Sequence, residues 1–242
     1  MLGGLPAAVQ SAPLTIVNAG FEDTSGQSPF NEFTFGTPVG WGIHHPSGVT
    51  VVASTFVGTL QPNGINFFNN VAPEGSRVGI LFNSGAHDAG EYGFFQTLGD
   101  TLQSNTRYEL NVEVGNIGSG TAVNGAFFDL SGFAGYRIDL LAGNSVIAQD
   151  MNSLLIPEAE FLTSTLTVDI GAFHANLGEA LVIRLVNLNV TPLGSHPFDP
   201  PDLEVDFDDV RFYATAVAIH APAALSIFAL GLGANFLRRR RR

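Results

Sequence analysis

The sequence predicts an all-β fold, a single antiparallel β-sandwich followed by a C-terminal hydrophobic helix, and three observations carry that prediction. Between Pro13 and Tyr213 the 242-residue chain shows short segments that alternate apolar and polar residues, with almost no helical period. Clusters of Gly, Asn, Asp and Pro separate these segments at turn-limited spacing, which leaves no room for the crossover helices of a parallel sheet. The chain then changes character: a continuous apolar run, Ala221 to Leu237, ends in five consecutive arginines, Arg238 to Arg242. Three regions follow: residues 1–12 as a residual leader or a disordered start, 13–215 as the sandwich, and 216–242 as a sorting or membrane-anchor helix with its Arg tail.

Taken in order, the first strand ends in Asn18-Ala19-Gly20-Phe21-Glu22-Asp23. Further strands are expected near 49–56, 78–82 and 92–98. The clearest lies at 107–115, where Tyr108, Leu110, Val112 and Val114 face one way and Arg107, Glu109, Asn111 and Glu113 the other. One face is therefore buried and one wet. Others follow near 136–141, 146–150, 162–169, 181–188 and 205–212. The turns Ser104-Asn105 and Ala142-Gly143-Asn144 supply the positive φ that hairpins require. About nine or ten such strands make a double-sheet jelly roll. The stretch 192–201 is too long and Pro-rich for a tight hairpin and reads as an excursion beside the last strand. The segment from Val217 to Leu237 would reach roughly 30 Å as a helix, enough to cross a thin bilayer with the arginines left on the cytoplasmic side. The alternative is a tail helix packed on the domain.

Composition narrows the function classes. The chain has no cysteine, so neither disulfides nor thiol chemistry arise. It also has no lysine. The tail holds five of the 10 basic residues, so the body sets five arginines against 22 carboxylates, a net charge of −17. Such a body repels nucleic acid and suits divalent cations. A hydrophobic content of 45% with 20 Phe fills one core of this length. No Gly-x-Ser-x-Gly, phosphate loop or dinucleotide fingerprint occurs, so hydrolase, nucleotidase and dehydrogenase readings have no starting point.

Two acidic clusters mark the ends of the body: Glu22-Asp23 and the run Glu204 to Asp209. First and last strands of an antiparallel sandwich often lie side by side, so these carboxylates can meet. Alternation places Glu204, Asp206 and Asp208 on one face of the last strand and Asp209 with Val205 and Phe207 on the other. A hard cation would neutralise them, and Ca²⁺ fits better than zinc in a chain without Cys. Glu22 and Asp209, with Asp208 beside them, are the candidate ligands of a structural calcium. The alternative is a solvated acidic edge that discourages strand pairing.

Three family resemblances rest on these motifs. The frame NAGFE, Gly40-Trp41, Asn105 to Val112 and VDFDDV resembles the galactose-binding-like jelly rolls of bacterial carbohydrate-binding modules, which implies a calcium between the first and last strands. The stretches Phe133 to Gly143, Leu162 to Leu166, Ile183 to Leu188 and Glu204 to Arg211 are similar to the Stig cyclases, calcium-bound jelly rolls that rearrange and cyclise a prenylated indole. That resemblance implies Asp206 as a general acid, with Phe94, Phe95 and Phe133 as pocket walls beside Tyr92. A carboxylic acid among phenyl rings resists ionisation and keeps a proton to donate. The tail resembles the bacterial PEP-CTERM sorting signal, with Ala221-Pro222-Ala223 where the family carries Pro-Glu-Pro. This implies recognition of Pro222 and of Arg238, Arg239 and Arg240 by an exosortase-type enzyme, a Gram-negative source, and export to the envelope, outer surface or extracellular matrix.

The remaining features carry less. The histidines have no recognised ligand spacing. The pairs Phe67-Phe68, Phe94-Phe95 and Phe127-Phe128 each put one ring outward if extended, either as a ligand surface or under long loops that cover the sheet. The leading expectation is an exported, calcium-stabilised binding module for a saccharide or other extracellular ligand. Its rivals are a Stig-cyclase-like enzyme acting on a small aromatic or terpenoid substrate through Asp206, and a structural envelope protein. An enclosed phenyl-lined pocket with Asp206 at it favours the cyclase; a shallow groove with exposed rings favours sugar.

Overall fold

The computed structural model describes residues 11–46, 48, 55–84, 90–190 and 202–217, and all of its regular structure is β. Early strands are short: β1 (Ser11–Pro13), β2 (Ser28–Phe30), β3 (Phe33–Phe35), β4 (Gly42–His44), β5 (Thr55–Leu60) and β6 (Val78–Asn83). Longer ones follow in β7 (Tyr92–Thr101) and β8 (Thr106–Asn116), then the small pair β9 (Gly120–Thr121) and β10 (Phe127–Phe128). The chain continues through β11 (Tyr136–Ala142), β12 (Ser145–Met151), β13 (Glu160–Ile170), β14 (Ala180–Asn187) and β15 (Leu203–Ala216). The N-terminal ten residues, the excursion 192–201 and the tail, including Pro222 and Arg238 to Arg240, lie outside the described residues.

Two antiparallel sheets face each other. The large one runs β13-β8-β15-β6-β5-β3-β2 with β1 on the end of β15; the small one runs β12-β11-β14-β7-β4. Strand β8 shows the expected division, with Tyr108, Leu110, Val112 and Val114 buried between the sheets. Its neighbour across the outer face is wet: Arg107 Nε reaches Asp169 Oδ1 at 2.7 Å on exposed β13. The hairpin turns also match, since Asn105 and Gly143 have φ of 51° and 58°. The core between the sheets is aromatic around Trp41, which stacks on Phe21 at 5.2 Å and gives its indole N–H to Asn18. This sole tryptophan is a core residue.

The two ends of the body meet. Ser11 pairs with Thr215, and Val210 N–H donates to the Ala19 carbonyl at 3.2 Å. Strict alternation fails along β15, however. Its register against β8 slips between Asp208 and Arg211, and Asp209 takes φ 46°. One extra residue is thereby inserted, so Val205, Phe207, Val210 and Phe212 all point into the inter-sheet core. Asp209 does not share a face with Val205 and Phe207; it sits at the bulge, 3.2 Å from Arg211.

The large sheet is covered on its outer face too, which alternation alone does not announce. Every residue of β6 is buried. Val78, Ile80 and Phe82 meet a second apolar cluster of Phe33, Leu60, Phe67, Phe68, Ile117 and Leu130, drawn from β3, from β5 and the loop after it, and from the segments after β8 and β10. Phe67 and Phe68 are both inside it. Burial of about 150–250 Å² per ring makes this cap a core in its own right.

Candidate active site

The site grows from β15. Residues at odd positions, Leu203, Val205 and Phe207, turn towards the small sheet, so Glu204, Asp206 and Asp208 turn to the outer face. On an uncovered sheet they would be solvated. Beneath the cap their exposures are 4%, 0% and 0%.

Glu204 stands opposite Phe82 on β6, and Asp206 lies between Ile80 of β6 and Gly115 of β8. Above Glu204 opens a cavity of about 580 Å³, walled by Phe30, Phe33, Phe35, Phe56, Phe82, Phe128 and Leu130, with Ser84, Asp202 and Glu204 as its polar members. The rings hold one another: Phe56 stacks on Phe82 at 4.5 Å and meets Phe35 edge-on at 4.6 Å, while Phe128 stands perpendicular to Phe82 at 6.3 Å.

Burial dominates the electrostatics. It pushes the Glu204 carboxyl up to about 8, with the Asp202 charge adding to the effect and a hydrogen bond from Asp206 opposing it. Asp206 is driven well above the ordinary carboxylate range, first by burial and then by the charge of Glu204 and the hydrogen bond between them. Neither Asp206 oxygen meets an N–H or hydroxyl donor among the described residues. Two acceptors in contact need a proton between them, so the pair is held as carboxylic acid near neutral pH.

The aromatics expected at the site line other places. Phe94 is fully buried between the sheets against Phe21 and Trp41. Phe133 packs beside the same core near Tyr136. Phe95 is exposed on the far face of the small sheet, over Gly42. Tyr92 is fully buried, and the Glu204 charge contributes, after burial, to raising its hydroxyl. The reason is topological: Tyr92, Phe94 and Phe95 lie on β7 of the small sheet and Phe133 just before β11, whereas the cavity lies on the outer face of the large sheet. Of the cavity-lining phenylalanines only Phe128 belongs to a pair singled out in the sequence, and the signal for Glu204 was its shared face with Asp206.

The candidate metal ligands have these partners. Glu22 accepts from Ser76 N–H at 2.7 Å, Ser76 Oγ at 2.9 Å and Arg77 N–H at 2.6 Å. Asp208 Oδ2 accepts from Glu74 N–H at 2.8 Å, and its Oδ1 is buried without a partner among the described residues. Burial, with the nearby charges of Glu74 and Asp209, pushes the Asp208 carboxyl up to about 8. Among the described residues no group of three or more His, Asp or Glu side chains is placed to hold a metal. Glu22 is held by Ser76 and Arg77, and Asp209 lies beside Arg211.

The fold is thus a β-sandwich with a buried carboxyl, Glu204, in the wall of a phenylalanine-lined cavity. The chain belongs to the HpiC1-like family, whose model, described as HpiC1 cyclase, matches residues 12–213. Similar solved structures include an apo cyclase from Fischerella sp., at 35% identity and TM-score 0.71, covering 86% of this chain and 98% of that one. The Stig cyclase Fisc from Fischerella sp. TAU, in complex with (3Z)-3-(1-methyl-2-pyrrolidinylidene)-3H-indole, has 34% identity and TM-score 0.71 over 86% and 100% of the two chains. A cyclase from the same source, in complex with 4-(1H-indol-3-yl)butan-2-one, has 36% identity and TM-score 0.70 over 86% and 100%. No curated protein matches. These relationships overturn the leading expectation of a saccharide-binding module and favour the cyclase alternative.

Proposed function

We propose that this protein is an acid-catalysed cyclase or isomerase acting on a small aromatic or terpenoid molecule, of which a prenylated indole is the model. The observation that carries the reading is the buried acid Glu204 in the wall of the phenylalanine-lined cavity, with the buried Asp206 next on the same face of β15. Protonation of an alkene or imine creates a carbocation, and the negative faces of Phe56, Phe82 and Phe128 stabilise it without capturing it as water would. Ring closure followed by proton loss returns the acid, so the net reaction is an isomerisation. The indole compounds bound by the two Fischerella cyclases support this substrate class.

The test is turnover of a prenylated indole to a product of equal mass, followed by chromatography and NMR. The double variant E204Q/D206N should lose at least about 10²-fold in rate, the usual scale of general-acid catalysis. Full activity in that variant would remove the proposal.

A further inference from the structure

We infer that the open edge of β13 is an interaction surface for a second copy of this chain, joined strand to strand about a two-fold axis at Thr165. The inference is independent of the acid-cyclase reading. Among the described residues each of the two facing sheets ends in two edge strands: β13 and β2 in the large sheet, β12 and β4 in the small one. An edge strand presents unpaired N–H and C=O groups that template pairing, so folded proteins guard edges by shortness, proline, bulges or charges that point inward. Three of these four edges are guarded in such ways. β2 is three residues long with Pro29 at its centre, and β4 is also three residues long. β12 slips register against β11 between Leu140 and Leu141, and its Asp150 stands opposite Ile138, on the face that packs into the core.

β13 carries none of these devices. It pairs with β8 over eleven consecutive residues without a register shift. From Phe161 to Val168 it holds no charge, glycine or proline, a composition that favours strand pairing. Leu162, on the inward face opposite Val114, is left 39% exposed. The small sheet does not seal this side, since a groove of about 660 Å³ lies between β12 and β13, bordered by Ser164 to Thr167. The strand's own sequence selects a second copy as the partner. Antiparallel pairing with Thr165 on the axis overlaps all eleven residues, setting Leu162 against Val168 and Ser164 against Leu166 on the inner face, and Thr163 against Thr167 on the outer one. Glu160 then meets Ile170 and Asp169 meets Phe161, while Asp169 keeps Arg107 of its own copy, so no like charges face each other. An edge about 36 Å long makes about ten interchain main-chain hydrogen bonds in this register. The cavity, with walls on β2, β3, β5 and β6, lies towards the opposite end of the large sheet and stays clear in both copies.

Sedimentation equilibrium of the full chain reads the association directly, and the parent should show about twice the 25.6 kDa chain mass. Thr165→Lys sets two ammonium groups face to face across the axis, and Leu162→Lys supplies an inward charge of the kind that guards β12. Both should sediment as single chains, with the circular dichroism spectrum of the parent. Cross-linking tests the contact without the lysine variants. The chain has no cysteine, and directly opposed residues lie about 4.5–5.5 Å apart at Cα, within disulfide reach. Thr165→Cys should therefore give a linked pair on mild oxidation, whereas Ser145→Cys at the guarded β12 edge should not. A parent of single-chain mass, a dimer that survives both lysine substitutions, or equal cross-linking at the two positions would overturn the inference.

Discussion

Asp206 and Gly115 face each other across the β8–β15 ladder, and a methyl group on Gly115 would lie 2.9 Å from Asp206 Cβ. The buried acid and the Phe161 ring leave no room for a side chain on this neighbour. Gly115→Ala should therefore push Asp206 or the Phe161 ring aside, costing about 1–3 kcal/mol as overpacking does. Urea unfolding with turnover measured alongside checks this; unchanged stability and rate would show that the strands separate freely here.

Stability should fall as pH rises from about 4 to about 8. Glu204 and Asp208 ionise near their ordinary values, 4.5 and 3.8, when unfolded but at about 8 in the fold, and Asp206 shifts the same way. Between those limits the folded state binds more protons than the unfolded state, so each unit of pH favours unfolding until the folded groups have ionised. Depressed carboxyls such as Asp150 act only below 3.8 and do not offset this window. Melting temperatures at pH 5 and pH 8.5 test the sign, and D208N should flatten the slope.

A buried charge network on the small sheet should matter far more than a surface ion pair. Asp139, with no exposure, accepts from Arg137 Nε at 3.0 Å, Arg184 Nε at 2.7 Å and Gln149 Nε2 at 2.6 Å. Asp139→Ala removes the carboxylate partner of Arg184 and one of the two that hold Arg137, which keeps Glu91, and should cost about 3 kcal/mol. Asp169→Ala, which breaks the exposed pair with Arg107, should leave the unfolding midpoint nearly unchanged. Comparable losses in the two variants would refute the distinction.

Phe56 joins two walls of the cavity by stacking on Phe82 and meeting Phe35 edge-on. Phe56→Ala should weaken binding of 4-(1H-indol-3-yl)butan-2-one by about 10-fold, one aromatic contact's worth of 0.5–1.5 kcal/mol. Calorimetric titration reads this directly, and equal affinity in both proteins would place the ligand elsewhere.

Much of the fold was legible in the chain. Period-two patterning named the inward face of β8 from Tyr108 to Val114, and local turn chemistry named the bends at Asn105 and Gly143. The meeting of the two ends, seen where Ala19 accepts from Val210, followed from antiparallel topology. The same patterning put Glu204, Asp206 and Asp208 on one face. It gave no sign that this face is dry, because alternation records only which side a residue points to. It also missed the bulge at Asp209, since an inserted residue looks like any other.

Sequence by itself determined the longer strands, most of their faces and the kind of acid available to them. Only the tertiary structure decided that loops bearing Phe67, Phe68 and Leu130 close over the large sheet and that Phe94 and Phe133 pack elsewhere. The physical reason is range. Side-chain direction is set by neighbours two residues away, whereas exclusion of water from a carboxyl depends on segments far away in the chain.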